Sequence, residues 1–200
     1  MTHHLHLNLF ILVIAITLSA CRSYTPVTET AAWELRRERL LAMDRWDMRG
    51  RVNARYQGDS DTATINWEQR GRQYVIRLHG TLNAGATRIE GRPGFVTLEA
   101  SSGEILQADS PEQLILDQVG YELPVSELNF WIKGIPTPGE PRRLELDEFN
   151  QLVSLSQAGW EIRYEAYAMF GAVSLPVRLE MSRPDEDIRL TFFRLDWDAP

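Results

Sequence analysis

The sequence predicts a mainly-β domain, a half-open antiparallel β-barrel of about 10–11 strands with covering α-helices and an apolar cavity. Three observations lead there. Apolar and polar residues alternate with a period of two through most of residues 46–108 and again through 144–197, as in strands buried on one face. Short turn-forming stretches separate consecutive runs, so neighbouring strands pair antiparallel. Helical segments fall between the two blocks of strands, where they can cover the mouth of a curved sheet, and such a barrel can enclose an apolar space.

The elements follow in order. Thr30 can cap a helix over 31–44, with Trp33, Leu40 and Leu41 on one face and Arg36, Arg37 and Arg39 mostly facing away as a solvated surface. At Trp46 the period changes to two: Trp46, Met48, Val52, Ala54 and Tyr56 alternate with charged and polar residues. A turn over 57–61 leads to Ala63, Ile65 and Trp67, and Arg70-Gly71-Arg72 turns the chain into Tyr74, Ile76 and Leu78. A loop over 80–85 holds Leu82. Further strands fit 86–90, 95–100 and 105–108. Ser110-Pro111-Glu112-Gln113 opens a helix that stops at Gly120, and a shorter helix starts at Ser126 and stops at Gly134. Alternation returns at Leu144 and Leu146, at 152–156, at 160–168 and at 175–181. In the last strand the parity changes at Phe192-Phe193, which predicts a bulge there.

Residues 9–20 form an apolar run broken only by Thr17 and Ser19, and end in Leu18-Ser19-Ala20-Cys21. The run is shorter than the roughly 20 residues of a membrane-spanning helix and has the length of a signal-peptide core. Leu-Ser-Ala-Cys resembles a lipobox, where bacterial lipoproteins are cut and acylated; the alternative is a plain secretory signal with a cysteine beside the cut. The resemblance implies that Cys21 carries an S-diacylglycerol and an N-palmitoyl chain. It also implies that Arg22, in place of an aspartate, sends the protein to the outer membrane. The organisation expected is a cleaved signal over 1–20, a lipid-anchored tether over 21–29 and a single domain over 30–200.

Net charge is −7, and the signal contains no Asp, Glu, Lys or Arg, so the domain keeps all of it. An acidic chain is a poor nucleic-acid binder. The sequence has one lysine, Lys133, and one cysteine. After removal of 1–20 a single histidine, His79, remains, so zinc sites built from His and Cys fail on count and no metal or cofactor is expected. No GxSxG, HExxH, GxGxxG or P-loop is present, and the chain reads as a protein that performs no catalysis. Paired carboxylates at Asp59/Asp61, Asp185/Asp187 and Asp196/Asp198 read as ordinary turn and surface residues.

Large side chains collect on the apolar faces: Trp46, Met48, Ile65, Trp67, Ile76, Leu78, Phe130, Trp131, Trp160 and Tyr164. Each can be ordinary core or the wall of a cavity. Several stretches, taken in order, carry a family resemblance. They are Ala63-Thr64-Ile65-Asn66-Trp67-Glu68-Gln69, Tyr74-Val75-Ile76-Arg77-Leu78 and Gly80-Thr81-Leu82-Asn83. Next come Gly120-Tyr121-Glu122-Leu123-Pro124-Val125, Leu128-Asn129-Phe130-Trp131-Ile132-Lys133-Gly134-Ile135-Pro136, Trp160-Glu161-Ile162-Arg163-Tyr164 and the final Trp197. Behind a lipobox, this ordered set resembles the LolB family, outer-membrane lipoprotein receptors of Gram-negative envelopes.

The resemblance implies a LolA/LolB-like half-open barrel closed by helices. It implies a monomer anchored to the outer membrane and facing the periplasm. Such a protein accepts triacylated lipoproteins from a LolA-type periplasmic carrier and releases them into the outer membrane's phospholipid. It also singles out Leu82 as a residue that dips into the membrane, with Thr81-Leu82-Asn83 where the family usually has Pro-Leu-Gly; the alternative is a leucine folded back onto the barrel. Trp67, Ile76, Leu78, Trp131, Trp160 and Tyr164 become the candidates for the acyl-chain cavity. Two rival readings are an anchored structural or assembly component without a cavity, and a hydrolase using His79.

Overall fold

Residues that alternate in the sequence alternate in burial, so each strand offers one face to a shared interior. The structure, a computed structural model, describes residues 29–80, 87–119, 123–139, 141 and 143–199. Cys21 and Leu82 lie outside these residues. Helix α1 (Glu29–Ala42) leads into β1 (Arg45–Tyr56), β2 (Asp59–Arg70), β3 (Gln73–Gly80), β4 (Thr87–Arg92), β5 (Phe95–Glu99) and β6 (Ile105–Ala108). Helices α2 (Pro111–Val119) and α3 (Val125–Trp131) follow. Then come β7 (Arg143–Leu146), β8 (Leu152–Gln157), β9 (Trp160–Phe170), β10 (Val173–Arg183) and β11 (Ile188–Asp198).

All eleven strands form one antiparallel sheet in the order β6-β5-β4-β3-β2-β1-β11-β10-β9-β8-β7. Each block is a meander, and the pairing of β1 with β11 joins the two. Edges β6 and β7 do not pair with each other among the described residues. Yet inward residues of both blocks, Ile89 and Val96 on one side and Leu155 and Ile162 on the other, belong to one apolar cluster with Trp33, Leu114 and Trp131 of the helices. A single cluster drawn from both arms requires the sheet to wrap around its helices, as the half-open barrel predicts. Among the described residues no helix is long and apolar enough to cross a membrane.

Three local readings change. The first turn is narrower than 57–61: only Gln57 (φ 49°) and Gly58 (φ 88°) leave the ladder, and Asp59 already pairs with Tyr56. Two successive left-handed residues match the twist of a tight hairpin. The bulge of β11 lies one or two residues later than Phe192-Phe193. Phe193 still pairs with Arg51 and lies partly outside under the Arg178 guanidinium; Arg194 takes φ 55°, and Leu195 turns inward. Gly50 faces this irregularity because a Cβ there would meet Leu195 Cδ2 at 2.5 Å.

On α1, Trp33 and Leu40 are buried as expected, but Leu41 is 38% exposed and Arg36 takes the inward position. Arg36 donates from Nη2 to the Ser174 carbonyl at 2.8 Å and lies over the Tyr167 ring. Its stem packs as an apolar residue would, while its head finds polar partners at the rim. Burial lowers its pKa.

Candidate functional site

Register pairs place the inward residues of β1–β6 in transverse rows. One row runs Trp46, Gln69, Tyr74, Gly91, Val96, Ala108. The next runs Trp197, Met48, Trp67, Ile76, Ile89, Leu98, Leu106. Ile65 and Leu78 pair in the row beyond. Trp67 sits at the centre, 1% exposed, with its ring centroid 5.3 Å from that of Trp46 and 6.3 Å from that of Tyr74. Its Nε1 donates to Gln69 Oε1 at 3.0 Å, and Gln69 Nε2 donates to the Gly71 carbonyl at 2.8 Å. A buried indole and a buried amide thus satisfy each other.

Two polar atoms of the same row do not share that arrangement. Trp46 Nε1 and the Tyr74 hydroxyl are buried and have no hydrogen-bond partner among the described residues. Burial, with Glu112 nearby, pushes the Tyr74 phenol well above its ordinary pKa, so it stays a neutral donor. Its ring lies across Gly91, where a Cβ would overlap it. A glycine inside a strand is the sequence signal of such a close approach.

The facing wall is built from β8, β9 and α3, and it is tied by hydrogen bonds. Trp131 is fully buried, and its Nε1 donates to Gln157 Oε1 at 3.0 Å. Gln157 pairs with Trp160 across the β8–β9 ladder and also accepts from the Thr137 amide at 2.9 Å. The Tyr164 hydroxyl donates to the Trp131 carbonyl at 2.8 Å, and full burial raises its pKa. Just beyond α3, Lys133 is 3% exposed and donates to the carbonyls of Leu40 and Met43, both at 3.2 Å. One ammonium therefore caps the C-terminal end of α1, where unpaired carbonyls and the helix dipole favour a cation. Its burial lowers the pKa from 10.5 to about 8.

The six cavity candidates from the sequence thus fall into two sets of three. Trp67, Ile76 and Leu78 share the β2–β3 wall, whereas Trp131, Trp160 and Tyr164 are joined through Gln157 and the Trp131 carbonyl. All except Leu78 are buried, and Leu78 is half-buried against the same cluster. His79 is exposed opposite Thr64, away from both walls. Lys133, Gln69 and Gln157 carry no periodic signal, and sequence reasoning assigned them no role. The interior offers aromatic and aliphatic surface with a few fixed polar atoms, an arrangement suited to holding an apolar body.

The family model described as "Outer membrane lipoprotein LolB" matches residues 44–194, nearly the whole described domain. The chain belongs to the LolB family. Proteins named "Outer-membrane lipoprotein LolB" from Stutzerimonas stutzeri and Pseudomonas aeruginosa resemble this LolB-family chain along almost its entire length. The first is 36% identical over 196 residues, covering 95% of this chain and 94% of the relative. The second is 38% identical over 200 residues, covering 96% and 97%. In three dimensions the LolB-family chain resembles a LolA superfamily protein from Nitrosomonas europaea, with a TM-score of 0.52, 10% identity, and 86% and 92% of the two chains covered. A DUF1329 family protein from Desulfovibrio piger gives 0.51 at 7% identity, covering 88% and 92%. At such identities the likeness is one of fold alone.

Proposed function

We propose that this protein is a lipid-anchored outer-membrane receptor that accepts triacylated lipoproteins from a LolA-type periplasmic carrier and inserts them into the inner leaflet of the outer membrane. The observation that carries this reading is the LolB match across 44–194, on a sheet whose inner faces are aromatic and aliphatic. Acyl chains bury about 0.8 kcal/mol per CH₂, so three chains exposed to water would be unfavourable by tens of kcal/mol. A receptor must therefore offer an apolar interior, and it needs no catalytic group to do so.

In this reading residues 1–20 are a cleaved signal, 21–29 a tether acylated at Cys21, and 30–200 one lipoprotein-binding domain that acts as a monomer. Acyl chains enter between the two walls, displacing side chains among Trp67, Ile76, Leu78, Trp131, Trp160 and Tyr164. Leu82 contacts outer-membrane phospholipid during release, where inserting one leucine recovers roughly 1.5–3 kcal/mol of burial.

The test mixes the protein with a LolA-type carrier loaded with a labelled lipoprotein, then follows the label by size and by pull-down. Movement of the label to this protein is the expected result. Leu82→Glu should keep acceptance and reduce release into phospholipid vesicles at least tenfold. A label that stays on the carrier over a wide concentration range would leave only an anchored structural component.

A further inference from the structure

Most aromatic donors inside the barrel are answered by the protein itself. Trp67 donates to Gln69, Trp131 to Gln157 and Tyr164 to the Trp131 carbonyl. The Tyr167 hydroxyl donates to the Leu152 carbonyl and Trp197 Nε1 to the Pro176 carbonyl, both at 2.9 Å. Trp46 Nε1 and the Tyr74 hydroxyl break this pattern. Both are closed to solvent, and neither finds an acceptor among the described residues. Buried donors are ordinarily paired, so two open ones on one wall call for a partner from outside the fold.

The two belong to one row. Trp46 and Tyr74 flank Gln69 on neighbouring strands, which puts their backbones about 10 Å apart. Gln69 lies between them but is engaged at both ends, accepting from Trp67 and donating to Gly71. The nearby Glu112 carboxylate accepts instead from the Ser126 amide at 2.9 Å. On the far side of Tyr74, Gly91 leaves the space in which the phenol ring lies. The ring is therefore placed by a missing Cβ and not by a bond from its hydroxyl.

The partner that suits these donors is a neutral oxygen. An indole N–H only donates, and a phenol kept neutral has a proton to give. Neither this row nor the next, from Trp197 and Met48 to Leu106, contains a Lys or Arg. An anion there would be buried without a countercharge and would face Glu112.

We propose that Trp46 Nε1 and the Tyr74 hydroxyl donate to the ester carbonyls of the diacylglyceryl group on the cargo's acylated cysteine. The proposal rests on the reading of this protein as a lipoprotein receptor. A diacylglyceryl group brings two ester carbonyls on neighbouring carbons, one for each donor. The carbonyls reach the pair as the acyl chains part the wall. A site built to bond them disfavours a guest of the same shape that lacks them, because its donors then stay unpaired.

The full acylated protein, isotopically labelled at its tryptophan indole nitrogens, is placed in nanodiscs of ether-linked phospholipid, which bring no ester carbonyls. The Trp46 indole signal is assigned by its loss in Trp46→Phe. A LolA-type carrier then delivers a triacylated lipopeptide, either the natural diester or a diether analogue of equal chain length. The diester should move the Trp46 indole proton downfield, and the diether should leave it in place. From a carrier loaded equally with both, the unsubstituted chain should take up at least fivefold more diester. Trp46→Phe with Tyr74→Phe should take up both alike, and Tyr74→Phe alone should lose at least half of the preference. The single variant removes only an unpaired oxygen, so it decides the matter if the double variant fails to fold. Equal shifts with the two analogues, or equal uptake by the unsubstituted chain, overturn the proposal and leave the receptor reading standing. An indole proton already at its hydrogen-bonded position before cargo arrives also overturns it, because water or the chain's own anchor then fills the pair. So does a shift in ester-linked phospholipid without cargo, which assigns the pair to the membrane. Uptake of neither lipopeptide overturns both readings.

Discussion

The two walls of the barrel hold similar side chains under different constraint. On the α3 side every buried aromatic polar atom described above has a partner: Trp131 Nε1 bonds Gln157, and the Tyr164 hydroxyl bonds the Trp131 carbonyl. On the β1–β3 side Trp67 is satisfied by Gln69, but Trp46 Nε1 and the Tyr74 hydroxyl find no partner among the described residues. Buried groups of this kind are ordinarily paired, and an unpaired one favours any guest or water that offers an acceptor. The contrast teaches that similar side chains can be held differently: hydrogen bonds tie the α3 wall, while the β1–β3 wall keeps two buried donors open. In the proposed receptor for acyl chains, the β1–β3 wall is the side whose contacts would be expected to change when a chain enters.

The largest effect expected on the α3 wall is from Trp131→Ala, which empties a fully buried site and frees Gln157. It should lower the unfolding free energy by about 3–5 kcal/mol, read from the denaturant midpoint. Next is the pH response of Lys133. Its pKa is about 8 when folded and 10.5 otherwise, so above pH 8 the unfolded chain binds a proton that the folded chain has released. Stability contributed by this group therefore rises with pH from about 8 to 10.5, by up to about 3 kcal/mol. Lys133→Met should flatten that rise in unfolding curves taken at pH 7 and 9.5.

On the other wall, Gly91→Ala should lower stability by about 1–3 kcal/mol because the new methyl displaces the Tyr74 ring. Tyr74→Ala in the same chain should recover part of the loss, and additive losses would show that the two do not meet. The finest comparison uses one substitution twice. Tyr164→Phe removes a buried hydrogen bond and should lower stability by about 1–2 kcal/mol. Tyr74→Phe removes an unpaired hydroxyl and should be neutral or slightly stabilising. Equal effects at the two tyrosines would erase the distinction between the walls.

Much of this molecule was legible from alternation alone. The runs at Trp46–Tyr56 and Trp160–Ala168 write their inward faces directly, because a strand exposes one side and buries the other. Positions where a side chain serves both solvents were misread. Arg36 looked like surface because its head is charged, yet its stem completes the face begun by Trp33. The bulge was expected at the first pair of adjacent phenylalanines, but Phe193 is shielded by an arginine outside the barrel, so the shift falls at Arg194. The division into two walls was not legible at all. It depends on which polar atom finds which partner, Gln157 for one tryptophan and none for another, and hydrophobic period carries no record of that.

Lys133 has one more consequence, for chemical labelling. It is the sole lysine, and acylation of the Cys21 amine would leave its side chain as the only primary amine of the mature protein. That amine is 3% exposed and held against two carbonyls. Amine-directed reagents should therefore pass over the native protein. Modification would appear only when α1 separates from the segment after α3, so its rate would time that opening at a single residue.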